Sequence, residues 1–109
     1  MSTRYPLTLA SGLRRDNAAE FWKTDDNQVT VNFKIVSDSG LLYPTEALYL
    51  AVLPEGFRPI GYIVHDCGYS ERQDGTRELL PFFIPEEGVI IAHLASVANA
   101  IMGTVSFFI

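Results

Sequence analysis

Cys67 is the only cysteine of the chain, and His65 and His93 are the only histidines. A catalytic thiol needs a base beside it and a group that orients the base. His65 and Cys67 are two residues apart, so on a strand they would share one face while Asp66 pointed to the other. We therefore predict no catalytic site here and interpret Cys67 as a small, partly buried thiol near a strand end.

The sequence does not support a metal site or a phosphate-binding site either. A lone cysteine excludes an internal disulfide and a cysteine-based zinc site. His65 and Asp66 with Glu71 lack the spacing of a known metal motif, and the acid pairs at 25–26 and 86–87 stand in turns, where carboxylates are ordinarily solvated. The glycines are isolated, so there is no phosphate loop. We predict a protein that is not an enzyme and has no metal site and no cofactor.

Binding is the function that the remaining polar residues favour. The segment 62–77 mixes aromatic side chains with planar hydrogen-bonding groups, a combination that suits saccharides, and binding residues concentrate on loops. We predict that the loop around residues 65–77 makes the contact, through Tyr69, Glu71, Arg72 and Asp74. The alternative is a solvated hairpin tip. Trp22, the one tryptophan, is interpreted as a core residue, with a sugar platform as the alternative.

The composition limits the partners. The chain has 109 residues, 13 acidic against 8 basic, with a net charge of −5. Nucleic-acid binding needs a basic surface, so we predict none. No run reaches the roughly 18 apolar residues of a membrane helix, which predicts no membrane insertion. The start leads into no apolar signal region, so we expect no signal peptide. We predict one domain, 1–109.

Alternation of apolar and polar residues predicts strands. It is clearest at 28–36, where Val29, Val31, Phe33 and Ile35 are the apolar set, and it returns at 104–109. Further strands are predicted at 5–9, 18–23, 47–53, 60–66, 77–84 and 88–94, and Asp74-Gly75 suggests a type I′ hairpin turn. The segment 94–102 is interpreted as strand or loop, with a helix as the alternative. The fold class is all-β, a small antiparallel β-sandwich.

Two of these strands are apolar on both faces. Residues 48–53 and 79–84 contain almost no polar side chain. A strand of a sandwich should be apolar inside and polar outside, and large exposed apolar patches are rare on monomers. We therefore predict a partner subunit over the outer face. The alternative is an unusually buried central strand within one subunit.

The stretch Leu53-Pro54-Glu55-Gly56-Phe57-Arg58-Pro59 resembles a segment of the C-terminal modules of bacteriophage tail-fibre and baseplate proteins. Stretches at 9–13, 22–29, 87–89 and 103–107 resemble those modules in the same order. The motif suits a structural corner. Prolines end a strand, the glycine permits a positive φ, and the arginine can fork onto carbonyls or a carboxylate. The predicted corner residues are Pro54, Gly56, Arg58 and Pro59.

The resemblance implies a jelly-roll-like sandwich that forms a homotrimer at the tip of a viral attachment apparatus. Its partners would be a host surface glycan or protein receptor and other virion proteins. Its location would be the virion, a tail fibre or baseplate, after synthesis in the host cytoplasm. The alternative is a capsid-decoration or baseplate assembly protein whose partner is another virion protein.

Overall fold

The computed structural model describes residues 3–109 and is built from antiparallel strands. The strands are β1 (Tyr5–Pro6), β2 (Thr8–Leu9), β3 (Leu13–Lys23), β4 (Gln28–Ser37), β5 (Thr45–Val52), β6 (Val64–Glu71), β7 (Arg77–Ile84), β8 (Val89–Leu94) and β9 (Ala100–Phe108). They lie in the order β1-β3-β4-β9-β6-β7-β8-β5-β2 and wrap around one core. The predicted all-β, sandwich-like antiparallel fold is confirmed. In the part of the chain that is described, no helix is long and apolar enough to cross a membrane.

The core is made by the inward side chains of these strands. On β4 the predicted apolar set, which includes Val29 and Ile35, is buried, and Val105 and Phe107 of β9 face it. Phe33 meets Phe82 of β7 edge to face, with ring centroids 5.5 Å apart. Removing this apolar surface from water is the main stabilising contribution to the fold. The period-two interpretation of these strands is confirmed.

The N-terminal segment closes the sheet. Tyr5 pairs with Phe21 on β3, and Thr8 pairs with Val52 on β5, so one short stretch lies against both edges of the sheet. Leu7 stands between the two short strands and is buried. Both edges thereby gain hydrogen-bonding partners, which reduces the risk of edge-to-edge aggregation.

Several predicted boundaries need correction. The strand predicted at 60–66 is wrong, because residues 57–63 form a loop and β6 begins only at Val64. Consequently the predicted contact loop 65–77 is mostly strand, with only 72–76 connecting β6 to β7. β3 begins five residues earlier than predicted, and 5–9 is divided between two strands. The segment 94–102 is strand and loop, as predicted, rather than helix.

The hairpin turn also differs from the predicted type. Gly75 takes a φ of 87°, but Asp74 is not among the residues with positive φ, so a type I′ turn is excluded. Gly75 donates its N–H to the Arg72 carbonyl at 3.0 Å, and Arg72 donates to Thr76 at 2.8 Å. This is a three-residue loop in which a turn is followed by a left-handed glycine.

Candidate functional site

A cleft of about 430 Å³ opens on the outer surface where β6 and β9 part. The two strands pair from Glu71 to Tyr69 on β6, and the register ends there. At Gly68 the backbones approach so closely that an added Cβ would lie 2.2 Å from the Met102 carbonyl oxygen. Only glycine fits where the β6 and β9 backbones approach so closely. We call this point the crossing of β6 and β9, and the close approach brings Tyr69 and Thr104 to the same cleft.

A bulge in β3 forms another wall of the cleft. From Arg15 to Ala19 the chain takes four steps, while the paired stretch of β4, Ile35 to Phe33, takes two. The extra residues include Asn17, whose φ of 87° lies in the left-handed region, and Asn17 lines the cleft. Bulges often occur next to functional sites, where they redirect side chains. Non-glycine residues with a positive φ are also often found at such sites.

The polar groups of the cleft are mostly neutral amides and hydroxyls. The Thr104 hydroxyl donates to the Asn32 side-chain oxygen at 2.9 Å, which leaves the Asn32 amide hydrogens available. Within residues 3–109 no hydrogen bond occupies the Asn17 side chain or the Tyr69 hydroxyl. Tyr69 is 47% exposed. An exposed aromatic ring with donors and acceptors around it is the usual make-up of a small-ligand site.

Of the four predicted contact residues, only Tyr69 lines this cleft. Glu71 lies 3.8 Å from Arg77, and Arg72 forms an ion pair with Glu78. Both pairs cross the β6–β7 hairpin, so these side chains contact their own chain.

Asp74 lies in the turn of the same hairpin. Its carboxylate accepts hydrogen bonds from the Thr76 hydroxyl at 2.6 Å and from the Thr76 N–H at 3.0 Å. These two hydrogen bonds, the hydroxyl's first, hold the pKa of Asp74 below its ordinary value, with a smaller contribution from the Arg72 charge. The structure thus separates the predicted set into one cleft residue and three hairpin residues.

The segment of the predicted corner leaves β5 and turns at the opposite end of the molecule from the hairpin. Arg58 donates from Nε to the Leu53 carbonyl at 2.7 Å, and Pro59 is fully buried. Phe57 donates to the Pro54 carbonyl at 3.2 Å, and Gly56 has a φ of 90°. These contacts hold the backbone of the loop that leads to β6.

Two single-residue interpretations are corrected. Trp22 is not a core residue, because it is half-buried on the outer face of β3 with the Arg4 guanidinium 4.4 Å from its ring centre. Phe21 takes the inward position instead. Cys67 is exposed rather than partly buried, and it lies in the middle of β6 at the cleft. Alternation along each strand decides both outcomes.

The cleft residues that sequence reasoning missed are Asn17, Asn32, Lys34 and Thr104. Asn32 and Lys34 on β4 and Thr104 on β9 occupy outward positions, and the alternation along a strand predicts only that such positions face solvent. The adjacent pair Asp16-Asn17 was the one available signal, because both residue types favour turns and interrupt a strand. Within the described residues no group of three or more histidine, cysteine or acidic side chains could hold a metal ion.

The outer face of β7, β8 and β5 differs from the cleft in being apolar. Phe83 pairs with Ile91, which pairs with Tyr49, so one apolar row crosses three strands. Leu79 is 61% exposed and lies beside Tyr69 on the neighbouring strand. We call this surface the apolar face, and its members are Tyr49, Val52, Leu79, Pro81, Phe83 and Ile91. The strands predicted to be apolar on both sides, at 48–53 and 79–84, expose their outward apolar side chains on this face.

A second apolar surface lies at the end of the molecule where the chain terminates. Ile60 and Ile63 are 70% and 52% exposed, and both lie in the loop between β5 and β6. The Tyr62 hydroxyl donates to the Phe108 carbonyl at 2.5 Å, which ties the loop to β9. We call Ile60, Tyr62, Ile63 and Phe108 the apolar tip.

Comparison with known proteins gives one structural likeness. No protein-family model matches the chain, and no curated protein matches it. Among solved structures, the head domain of the lactococcal phage bIL170, presented as a receptor-binding domain, superposes with a TM-score of 0.75 at 14% sequence identity. The match covers 100% of this chain and 99% of that chain. At this identity the likeness shows a shared fold.

Proposed function

We propose that this chain is a receptor-binding module of a phage virion and that it attaches the virion to a host surface glycan. The fold likeness to a phage head domain over the whole chain supports the virion role. The tail-fibre resemblance at residues 53–59 points the same way. Fold does not decide function, so the proposal depends on the site.

The observation that carries the proposal is the cleft beside Tyr69. Its exposed ring offers an apolar face, and Asn17, Asn32 and Thr104 place hydrogen-bonding groups around the same space. Two unusual backbone features, the β3 bulge and the close crossing at Gly68, shape it. Such features cost free energy, which is expected where they build a site.

A glycan array tests the site with matched variants. Tyr69→Ala removes the ring and should weaken binding at least tenfold, since much of the ligand's apolar contact lies there. Tyr43→Ala is the control, because Tyr43 is 63% exposed and does not line the cleft. If Tyr69→Ala binds like the wild type while the double variant Arg72→Ala/Asp74→Ala does not, the contact surface is the hairpin. Absence of glycan binding by the wild type would reject the glycan role.

The proposal includes a homotrimer that covers the apolar face. Tyr49 and Leu79 of this face are 57% and 61% exposed, and the chain has a net charge of −5. Copies of an acidic chain repel each other least where neither presents charge. Light scattering after size-exclusion chromatography should give a mass of three subunits that survives dilution. A monomer at all concentrations would reject this part of the proposal.

The apolar tip favours a second candidate, an assembly protein whose partner is another virion protein. The loop is held by hydrogen bonds from the Gly61 N–H to the Glu86 carboxylate and from the Tyr62 hydroxyl to the Phe108 carbonyl. Exposed apolar surface of this kind often marks a docking site. Under this candidate, the chain binds no glycan and co-sediments with virions that lack it. Ile60→Asp should abolish the co-sedimentation, and Tyr69→Ala should leave it unchanged.

A further inference from the structure

The one charged side chain that lines the cleft beside Tyr69 has a partner of opposite charge. Lys34 is the one charged residue among those that line it. Its ammonium lies 3.5 Å from a carboxylate oxygen of Asp16, which belongs to the β3 bulge. The bulge therefore brings a negative charge to the single positive charge of the site.

The bulge restrains the backbone that carries this carboxylate. Arg15 pairs with Ile35 on β4, immediately before the bulge, and its guanidinium donates to the Asn17 carbonyl at 3.1 Å. Asp16 stands between these two anchored residues. Its backbone is therefore restrained even though its side chain is 50% exposed.

An anionic ligand would gain little in this cleft. To reach Lys34 it would compete with Asp16, and the displaced carboxylate would remain within a few ångströms of the new negative charge. A chain with a net charge of −5 adds a further unfavourable potential. Hydroxyl groups carry no such penalty, and the free amides of Asn17 and Asn32 suit them.

We propose that the cleft takes an uncharged saccharide and that Asp16 sets this preference by neutralising Lys34. The inference rests on the proposed glycan-binding function and goes further by naming the ligand class. Asp16 acts here as a specificity-determining residue, since it need not touch the ligand to exclude an anion.

The experiment compares matched pairs of immobilised oligosaccharides, each pair sharing one backbone in an uncharged form and in a carboxylated or phosphorylated form. The wild type should bind the uncharged member at least tenfold better. Asp16→Asn should raise binding of the anionic member about tenfold at low salt, and the gain should disappear at high salt. Adding Lys34→Met to Asp16→Asn should cancel the gain.

The outcomes separate this inference from the function on which it rests. Wild-type preference for the anionic members, or unchanged selectivity in a folded Asp16→Asn variant, would overturn the neutral-ligand inference and leave glycan binding intact. Binding to no member of any pair would overturn both.

Discussion

The outer face of β4 and β9 and the outer face of β7, β8 and β5 belong to one sheet and cover one core, yet they differ in chemistry. On the first, Thr30 and Ser106 form a hydroxyl pair at 2.9 Å across the strands, and Asn32 and Thr104 form a second pair. On the second, Tyr49 is 57% exposed in an apolar row. The polar groups of the first face are hydrogen-bonded to each other, whereas the second face leaves large apolar side chains exposed to water.

The two proposed interactions fall on different faces. The polar face with its cleft is the proposed site for a ligand that carries hydroxyl groups, and the apolar face is the proposed contact with another copy of the chain. Tyr69 and Leu79 pair across β6 and β7, so the boundary between the two surfaces runs between these residues.

The largest effect is expected from a charge on the apolar face. Leu79→Asp would place an unpaired carboxylate in the proposed trimer contact, at a cost of about 3 kcal/mol or more per buried charge. The variant should elute as a monomer at micromolar concentration, as measured by light scattering. Ser106→Asp, on the exposed polar face, is the control and should keep the wild-type mass. The same mass for both variants would contradict the assignment of the interface.

The next largest effect is expected at the crossing that shapes the cleft. Gly68→Ala sets a Cβ against the Met102 carbonyl oxygen, and relieving the overlap requires backbone movement. We expect the free energy of unfolding to fall by about 3 kcal/mol. Cys67→Ala, the exposed neighbour, should change it by less than about 0.5 kcal/mol. Urea titrations at one protein concentration measure both, and equal midpoints would disprove the close approach.

A smaller effect distinguishes the buried side of β4 from its outward side. Ile35→Val removes one methyl group from a fully buried position, which should cost about 1 kcal/mol. Thr30→Ser removes one methyl group from an outward position on the same strand and should cost less than about 0.5 kcal/mol. Thermal unfolding of the two variants tests the order. The reverse order would mean that the strand faces are assigned incorrectly.

The smallest effect is expected away from both faces, at Asp74 in the hairpin turn. Its folded pKa lies below the ordinary value, so the ionised carboxylate contributes stability above that value and loses it as the pH falls through the folded pKa. Asp74→Asn should therefore be slightly less stable than the wild type at pH 7, and the difference should shrink as the pH falls below the ordinary pKa of the carboxyl group. A difference that grows on acidification would contradict the hydrogen bonds to Thr76.

Much of the fold was accessible from residue patterns. The alternation at 28–36 predicted β4 and its buried set. The partner subunit predicted from the two-faced strands stays a prediction. The predictions that were wrong concern segments whose structure depends on contacts with strands far away in the sequence. The strand predicted at 60–66 failed because apolar residues at 60–63 lie in an exposed loop, where their partner is the end of β9.

The candidate site was less accessible. Tyr69 was predicted as a contact residue because an aromatic side chain in a polar segment is visible locally. Asn17 and Thr104 were not predicted, because they lie 87 positions apart in the sequence and share a cleft only because β3 and β9 both pair with β4. A local pattern contains no information about which outward positions of distant strands share a surface.

The sequence by itself determined the strand faces and the excess of negative charge, because both follow from residue type and spacing along the chain. Only the packed sheet places Asp16 beside Lys34, lets two strands approach closely at Gly68, and sets Tyr69 between a cleft and an apolar face. The physical reason is that β-sheet contacts join residues far apart in sequence, so their register depends on packing the whole core at once.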